Sequence, residues 1–182
     1  MQSFGLTGKY LSVTILAVVL CLLPQFALSQ DNQADLFQEG DLNNTEIIQL
    51  GLSNIADIFQ SGNQNSVDIA QEGEINLSDI HQTGLAHQAI ISQRGKQLVA
   101  SIQQQNQANL AEIIQTGQGH QAIIEQDGLG NQAFIEQLGD SNFAMSVQHG
   151  NNNISYQYQQ GVGHTNTITQ FGDNQLAIVR QE

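Results

Sequence analysis

A glutamine returns every eleven residues along this chain without a miss: Gln38, Gln49, Gln60, Gln71, Gln82, Gln93, Gln104, Gln115, Gln126, Gln137, Gln148, Gln159, Gln170 and Gln181. No insertion or deletion disturbs the spacing, so each unit fills a fixed slot in a stack. Strict short periods mark repeat architectures, in which a unit buries its face only against its neighbours. Numbered from its Gln, a unit reads Q-x-G-x-x-N-x-A-x-I-x. Position 3 is Gly in twelve of thirteen units, with Asn106 the exception. Position 6 is Asn at Asn43, Asn54, Asn65, Asn76, Asn109, Asn131, Asn142 and Asn153, and His at His87, His120 and His164. Position 10 is Ile in ten units and Val179 in one; Ser146 and Gln157 depart. A partial unit with Asn32, Ala34 and Leu36 precedes Gln38.

Positions 6, 8, 10 and the following 1 share one parity, the mark of a strand with one buried face. Gly at position 3, with loose composition at 4 and 5, reads as the turn. Each unit is then one strand and one turn, and two units make a rung of 22 residues. Rungs stack at about 4.8 Å. The expected fold is all-β: a β-solenoid of strand–turn–strand rungs, cross-β when polymerised, with thirteen half-repeats from Gln38 to Arg180.

The charges agree with this geometry. After residue 30 there are 17 acidic and three basic side chains, and none occupies position 1, 3, 6, 8 or 10. An unpaired buried charge is prohibitively costly, so those positions face inward. Phe37, Phe59, Phe134, Phe143, Tyr156, Tyr158 and Phe171 all fall on outward positions. Inward Gln and Asn are compatible with a stack, because an amide above an identical amide can donate to one neighbour and accept from the other. The Gln and Asn series named above form the expected stacking ladder. Such a ladder leaves its terminal members unsatisfied, so the ends seek another chain. No Pro follows Pro24 to block an edge.

A formal net charge of −13 disfavours nucleic acid and anionic membrane as partners, because phosphate binding needs clustered Lys and Arg. Residues 1–29 read as a secretory signal peptide: Lys9, an apolar run from Tyr10 to Leu23, Pro24, and small residues at Ala27 and Ser29. The repeat array then occupies residues 30–182. Cys21 lies in the leader, so the exported chain has no thiol or disulfide chemistry.

The recurring Q-x-G-x-x-N-x-A-x-I-x-Q resembles the curlin repeat of bacterial curli subunits, from about Asn32 to Gln181. The resemblance implies export from a Gram-negative bacterium through the outer-membrane curli secretion apparatus. It implies polymerisation with other curlin subunits into amyloid fibres (a fimbrium) that serve biofilm formation and adhesion. Asn or His at position 6 with Ile at 10 in both half-repeats is similar to the minor, nucleating subunit. So are the segments Asn131–Gln137 and Leu176–Gln181. The basic last repeats of that subunit are absent, and the major fibre subunit is the alternative; a monomeric secreted β-solenoid binding module is the alternative of another class.

Other readings of the same residues fare worse. His87, His120 and His164 stand in the Asn slot, and the two that share a column lie two rungs apart, about 9.6 Å, too far for one metal ion. His81 and His149 face outward into solvent. No activated nucleophile, phosphate cradle or convergent pocket is present, so no enzyme, cofactor, metal or small-molecule substrate is expected. The Gly-Gly-x-Gly-x-Asp period of calcium-binding solenoids is missing. An ice-binding solenoid needs an outward Thr array, and position 9 carries acids instead. Low complexity alone does not hold a register. Asp35, Asp57 and Asp79, spaced by 22, are expected to stack in one sheet and to slow assembly by like-charge repulsion.

Overall fold

The computed structural model describes residues 31–182 together with the backbone of Ile15–Val18. Strands alternate between two parallel sheets. The odd-numbered sheet has the order β1 (Ile15–Val18), β3 (Asn44–Leu52), β5 (Ser66–Glu74), β7 (Gln88–Lys96), β9 (Leu110–Gln118), β11 (Gln132–Asp140), β13 (Ile154–Val162), β15 (Leu176–Gln181). The even-numbered sheet runs β2 (Gln33–Glu39), β4 (Ile55–Asn63), β6 (Leu77–Leu85), β8 (Val99–Gln107), β10 (Gln121–Leu129), β12 (Phe143–Asn151), β14 (Thr165–Phe171). From β2 onward each residue pairs with the one 22 further on, as in Gln60↔Gln82 and Gln115↔Gln137. Parallel strands need a crossover of about a dozen residues, and here the intervening strand of the other sheet supplies it. The segment read as a signal peptide lies outside the described residues apart from Ile15–Val18, whose backbone pairs with Thr45–Ile48.

The core is a single file of Ile and Ala between the sheets. Ile58, Ile69, Ile80, Ile91, Ile102, Ile113, Ile124 and Ile135 are at most 1% exposed, and Ala56 through Ala144 at position 8 are fully buried. Position 10 of one strand faces position 8 of the next, across the sheets. A large residue thus meets a small one, which keeps the sheets evenly spaced at close-packed density. The two departures obey the same rule by exchanging the apolar pair for a polar one. Ser146 Oγ meets Ser155 Oγ at 2.6 Å, and Asn166 Nδ2 donates to Gln157 Oε1 at 3.0 Å. Buried polar groups are tolerable when paired. Among the described residues no buried side-chain N or O lacks a hydrogen-bond partner.

The corner differs from the expectation. Gly at position 3 is a ladder residue, paired as Gly62↔Gly84 or Gly117↔Gly139. The chain turns at position 5, where all thirteen residues have φ between 54° and 71°. Ten of them are not Gly, and Ile75 at φ 58° is β-branched, a conformation rarely adopted by such residues. Gly is favoured at position 3 by close approach: a Cβ at Gly62 would lie 1.9 Å from the carbonyl O of Gly84, and Asn106 holds this slot with its φ moved to 76°.

Candidate functional site

The Gln series forms two columns, one per sheet. Gln38, Gln60, Gln82, Gln104, Gln126, Gln148 and Gln170 run along the even-numbered sheet; Gln49, Gln71, Gln93, Gln115, Gln137, Gln159 and Gln181 run along the other. In every step the Nε2 of one Gln donates to the Oε1 of the Gln 22 residues later, at 2.5–3.0 Å. The second Nε2 hydrogen crosses the core to a backbone carbonyl 16 residues earlier, as from Gln71 to Ile55 at 3.0 Å and from Gln93 to Leu77 at 3.0 Å. Each amide therefore ties its neighbour along the axis and also ties the two sheets together. Thr45 and Ser78, at position 8, each reach across the core to bridge two successive members of one column, accepting from Gln38 and Gln71 and donating to Gln60 and Gln93.

The asparagines do not pair amide to amide as the ladder reading expects. They clamp the backbone at the two corners. Asn131 Oδ1 accepts from the N–H of Asn153 at 3.0 Å; its Nδ2 donates to the carbonyls of Gly150 at 2.8 Å and Asp127 at 3.4 Å. Asn43, Asn54, Asn65, Asn76, Asn109, Asn142 and Asn153 likewise accept from, or donate to, the backbone of the following rung. The geometry follows from position 6 closing the turn, where the amide meets freed peptide groups before it meets its counterpart. Gln175 takes the same place in the last full unit, donating to Phe171 O.

Histidine fits this clamp as a reduced version of Asn. His87 Nδ1 accepts from Asn109 N–H at 3.3 Å and its Nε2 faces Thr83 O at 3.2 Å; His120 Nδ1 accepts from Asn142 N–H at 3.1 Å with Nε2 facing Thr116 O at 3.1 Å. This arrangement selects the neutral ring protonated on Nε2. Burial pushes both rings below the ordinary imidazole pKa, partly opposed by the facing carbonyls and, for His120, by Asp140. His164 keeps the pattern at the more open end of the stack, with Nε2 facing Gln160 O. His81 and His149 are exposed as expected, yet each packs on a ring: His81 on Phe59 at 4.5 Å and His149 on Phe171 at 5.2 Å. Among the described residues no group of three or more His, Cys, Asp or Glu could hold a metal ion.

Asp35, Asp57 and Asp79 lie on consecutive strands of the even-numbered sheet, in register. Burial raises the pKa of Asp79 and the charge of Asp57 raises it further, against a lowering by His81. With a folded pKa above the unfolded one, the folded state holds more protons between those values. Stability and assembly then fall as pH rises through the window and recover under mild acid. Like charges opposed in adjacent strands cost roughly 0.2–1 kcal/mol per pair. Asp57 opposes both Asp35 and Asp79, so Asp57→Asn at pH 7 is expected to shorten the thioflavin-T lag by up to about thirty-fold on that scale; a lag as long as that of the unmodified protein rules out the repulsion.

Two features carried no readable sequence signal. Position 5, left-handed throughout, varies from Gly to Ile, so composition hides it. The sheet-to-sheet bond of each Gln depends on which carbonyl lies across the core, a distance set by the fold.

The model for the Curlin associated repeat matches residues 30–62, 53–84, 62–95 and 107–139, more than half of the chain. No curated protein matches it. Taken with a parallel solenoid whose rungs repeat at 22 residues and whose Gln columns never break, these matches place the chain in the curlin family, the structural subunits of curli-type fibres.

Proposed function

We propose that this chain is an exported fibre subunit that grows head to tail, one copy's β14 and β15 receiving the next copy's β2 and β3. The observation that carries this reading is the uniform direction of the Gln columns. At one end the acceptors of the Gln170 and Gln181 Nε2 groups, among the described residues, are the cross-core carbonyls of Ile154 and Thr165. At the other end Gln38 and Gln49 donate inward to Gln60 and Gln71, so their Oε1 atoms are the terminal acceptors of the columns. Donors therefore meet acceptors only when unlike ends join; like ends set donor against donor or acceptor against acceptor. The backbone has the same sense, since every strand pair is parallel and β2 and β14 are the outer strands of the even-numbered sheet among the described residues. Removal of residues 1–29 on export frees the edge of β3 that Ile15–Val18 occupies.

Within that role the chain acts as the nucleating minor subunit, presented at the cell surface by the outer-membrane secretion apparatus, and the resulting fibres serve biofilm cohesion and adhesion. The support is the near-equivalence of the two half-repeats, which gives both sheets the same Asn/His and Ile columns and so templates both edges of an incoming chain equally. Traces added to a major curlin should abolish its lag; a lag unchanged at a ratio of about one to twenty assigns this chain to the major role instead. Seeded growth tests the assembly site itself. Gln49→Ala and Gln170→Ala each remove a terminal amide and are expected to slow elongation several-fold, on the basis of about 1 kcal/mol per lost hydrogen bond. Gln132→Ala, outward and outside both columns, should grow normally. Equal rates for all three variants contradict templating by the Gln columns.

A further inference from the structure

A groove runs along the solenoid axis on the outer face of the odd-numbered sheet. Phe134, Tyr156 and Ile178 form one wall and Glu136, Tyr158 and Arg180 the other. The registers Phe134↔Tyr156↔Ile178 and Glu136↔Tyr158↔Arg180 make each wall a straight column across β11, β13 and β15. Tyr156 is 42% exposed and Ile178 66%, so the apolar surface is open. The rings of Phe134 and Tyr156 stack at 4.9 Å with 9° between their planes, which covers their faces and leaves ring edges outward. A row of edges offers a flat ligand no platform, but it packs well against another row of side chains.

The charges on the second wall decide the partner. Arg180 lies 5.3 Å from the Tyr158 ring and bonds Glu182, two residues on. Glu136 is two rungs away, about 9.6 Å, beyond a direct ion pair within one chain. We propose that this face pairs with the same face of a second copy, antiparallel, about a two-fold axis lying along β13. That operation exchanges β11 and β15 while keeping each column opposite itself. Arg180 then meets Glu136 of the second copy, twice by symmetry; Ile178 meets Phe134; and each tyrosine meets its own counterpart. Such an isologous contact is self-complementary in charge and in size. The parallel arrangement, with the two-fold along the solenoid axis, keeps like levels together: it sets the acid level against the acid level and leaves Arg180 without a carboxylate across the contact. One level further out, Glu112 meets Glu46 of the copy stacked beyond β15, so the attraction is concentrated in these three levels. Sheets facing in this way sit about 10 Å apart.

The inference rests on the fibre-subunit reading and concerns how filaments associate sideways, not how they lengthen. Four proteins test it: the unmodified chain, Arg180→Glu, Glu136→Arg, and the double exchange. Elongation is followed by thioflavin-T and filament pairing by mass per length in electron micrographs. Expected are paired filaments for the unmodified chain, a halving of mass per length for either single variant, and restored pairing for the double exchange, with elongation within about two-fold throughout. Single filaments from the unmodified chain, or pairs that survive both single reversals, overturn the antiparallel contact. Failure of all four to elongate is a different result, visible in the fluorescence trace alone; it overturns the fibre reading and the pairing together.

Discussion

Gly73→Ala is expected to abolish seeded growth and to leave the chain largely disordered by far-UV circular dichroism. A Cβ placed on Gly73 lies 1.8 Å from the carbonyl O of Gly95 and 2.8 Å from its carbon, in a backbone with φ +125°. The obstruction is peptide backbone within a ladder, so neither a rotamer change nor a side-chain shift relieves it. To clear the contact the backbone must rotate toward the φ of 76° that Asn106 holds in the same slot, which an alanine adopts less readily than an asparagine, or the strands must separate by more than an ångström. Damage of that kind belongs among the largest single-residue effects, on the order of 4–5 kcal/mol, against a fold whose core is one file of Ile wide. Gly163→Ala is the control. It also has positive φ, +71°, but nothing lies within 4 Å of its added Cβ. Its expected cost is only the left-handed strain of about 1–2 kcal/mol. Growth of Gly73→Ala at half the unmodified rate or better contradicts the close-approach account.

Asn131→Ala comes second. Asn131 is fully buried and makes three hydrogen bonds to backbone. Truncation orphans the N–H of Asn153 and leaves Gly150 O without its side-chain donor. Leaving a buried donor unsatisfied costs about 1–3 kcal/mol, so the loss is expected to approach the upper end. Asn131→His should recover most of it, because His87 and His120 already fill the equivalent place through Nδ1 and Nε2. The recovered protein should be acid-sensitive. A ring held below its unfolded pKa binds fewer protons when folded, so its contribution is complete above the unfolded value and declines as pH falls through the window down to the folded one. Protonation puts an Nδ1–H against the backbone N–H it had been accepting from. Denaturant midpoints at pH 8 and pH 5 check this: the Ala variant should lose stability at both, the His variant chiefly at pH 5. Equal losses for Ala and His at pH 8 contradict the clamp.

The acid response of the whole protein has two opposed parts. Asp79, raised by burial and Asp57, gains as pH falls; His87 and His120, lowered by burial, lose. The imidazole loss develops as pH falls below 6.5 toward the folded values, and the Asp79 gain develops as pH falls toward 3.8, so Asp79→Asn should remove the gain and leave the acid loss.

How much of this was legible in the residues varies from position to position. The inward series at positions 1, 6, 8 and 10 could be read because a buried charge is intolerable and twenty charges avoid those positions. The role of Gly was misplaced because Gly marks both turns and close approaches, and the two cannot be separated by composition. Ser146 and Gln157 look like defects when read singly; only the pairing across the core with Ser155 and Asn166 shows them as matched exchanges.

The sequence by itself determined the rung: its 22-residue length, its inward and outward faces, and the stacking of like on like. These follow from strict period and from the cost of burying charge, both of which are local and additive along the chain. Only the tertiary structure decided what each polar residue bonds to: that Gln ties the two sheets while Asn grips the corner backbone, and that the turn falls on a residue as unsuited to it as Ile75. Those choices depend on which carbonyl lies across a gap or above a bend. Such distances are set jointly by neighbouring rungs and are written in no single one of them.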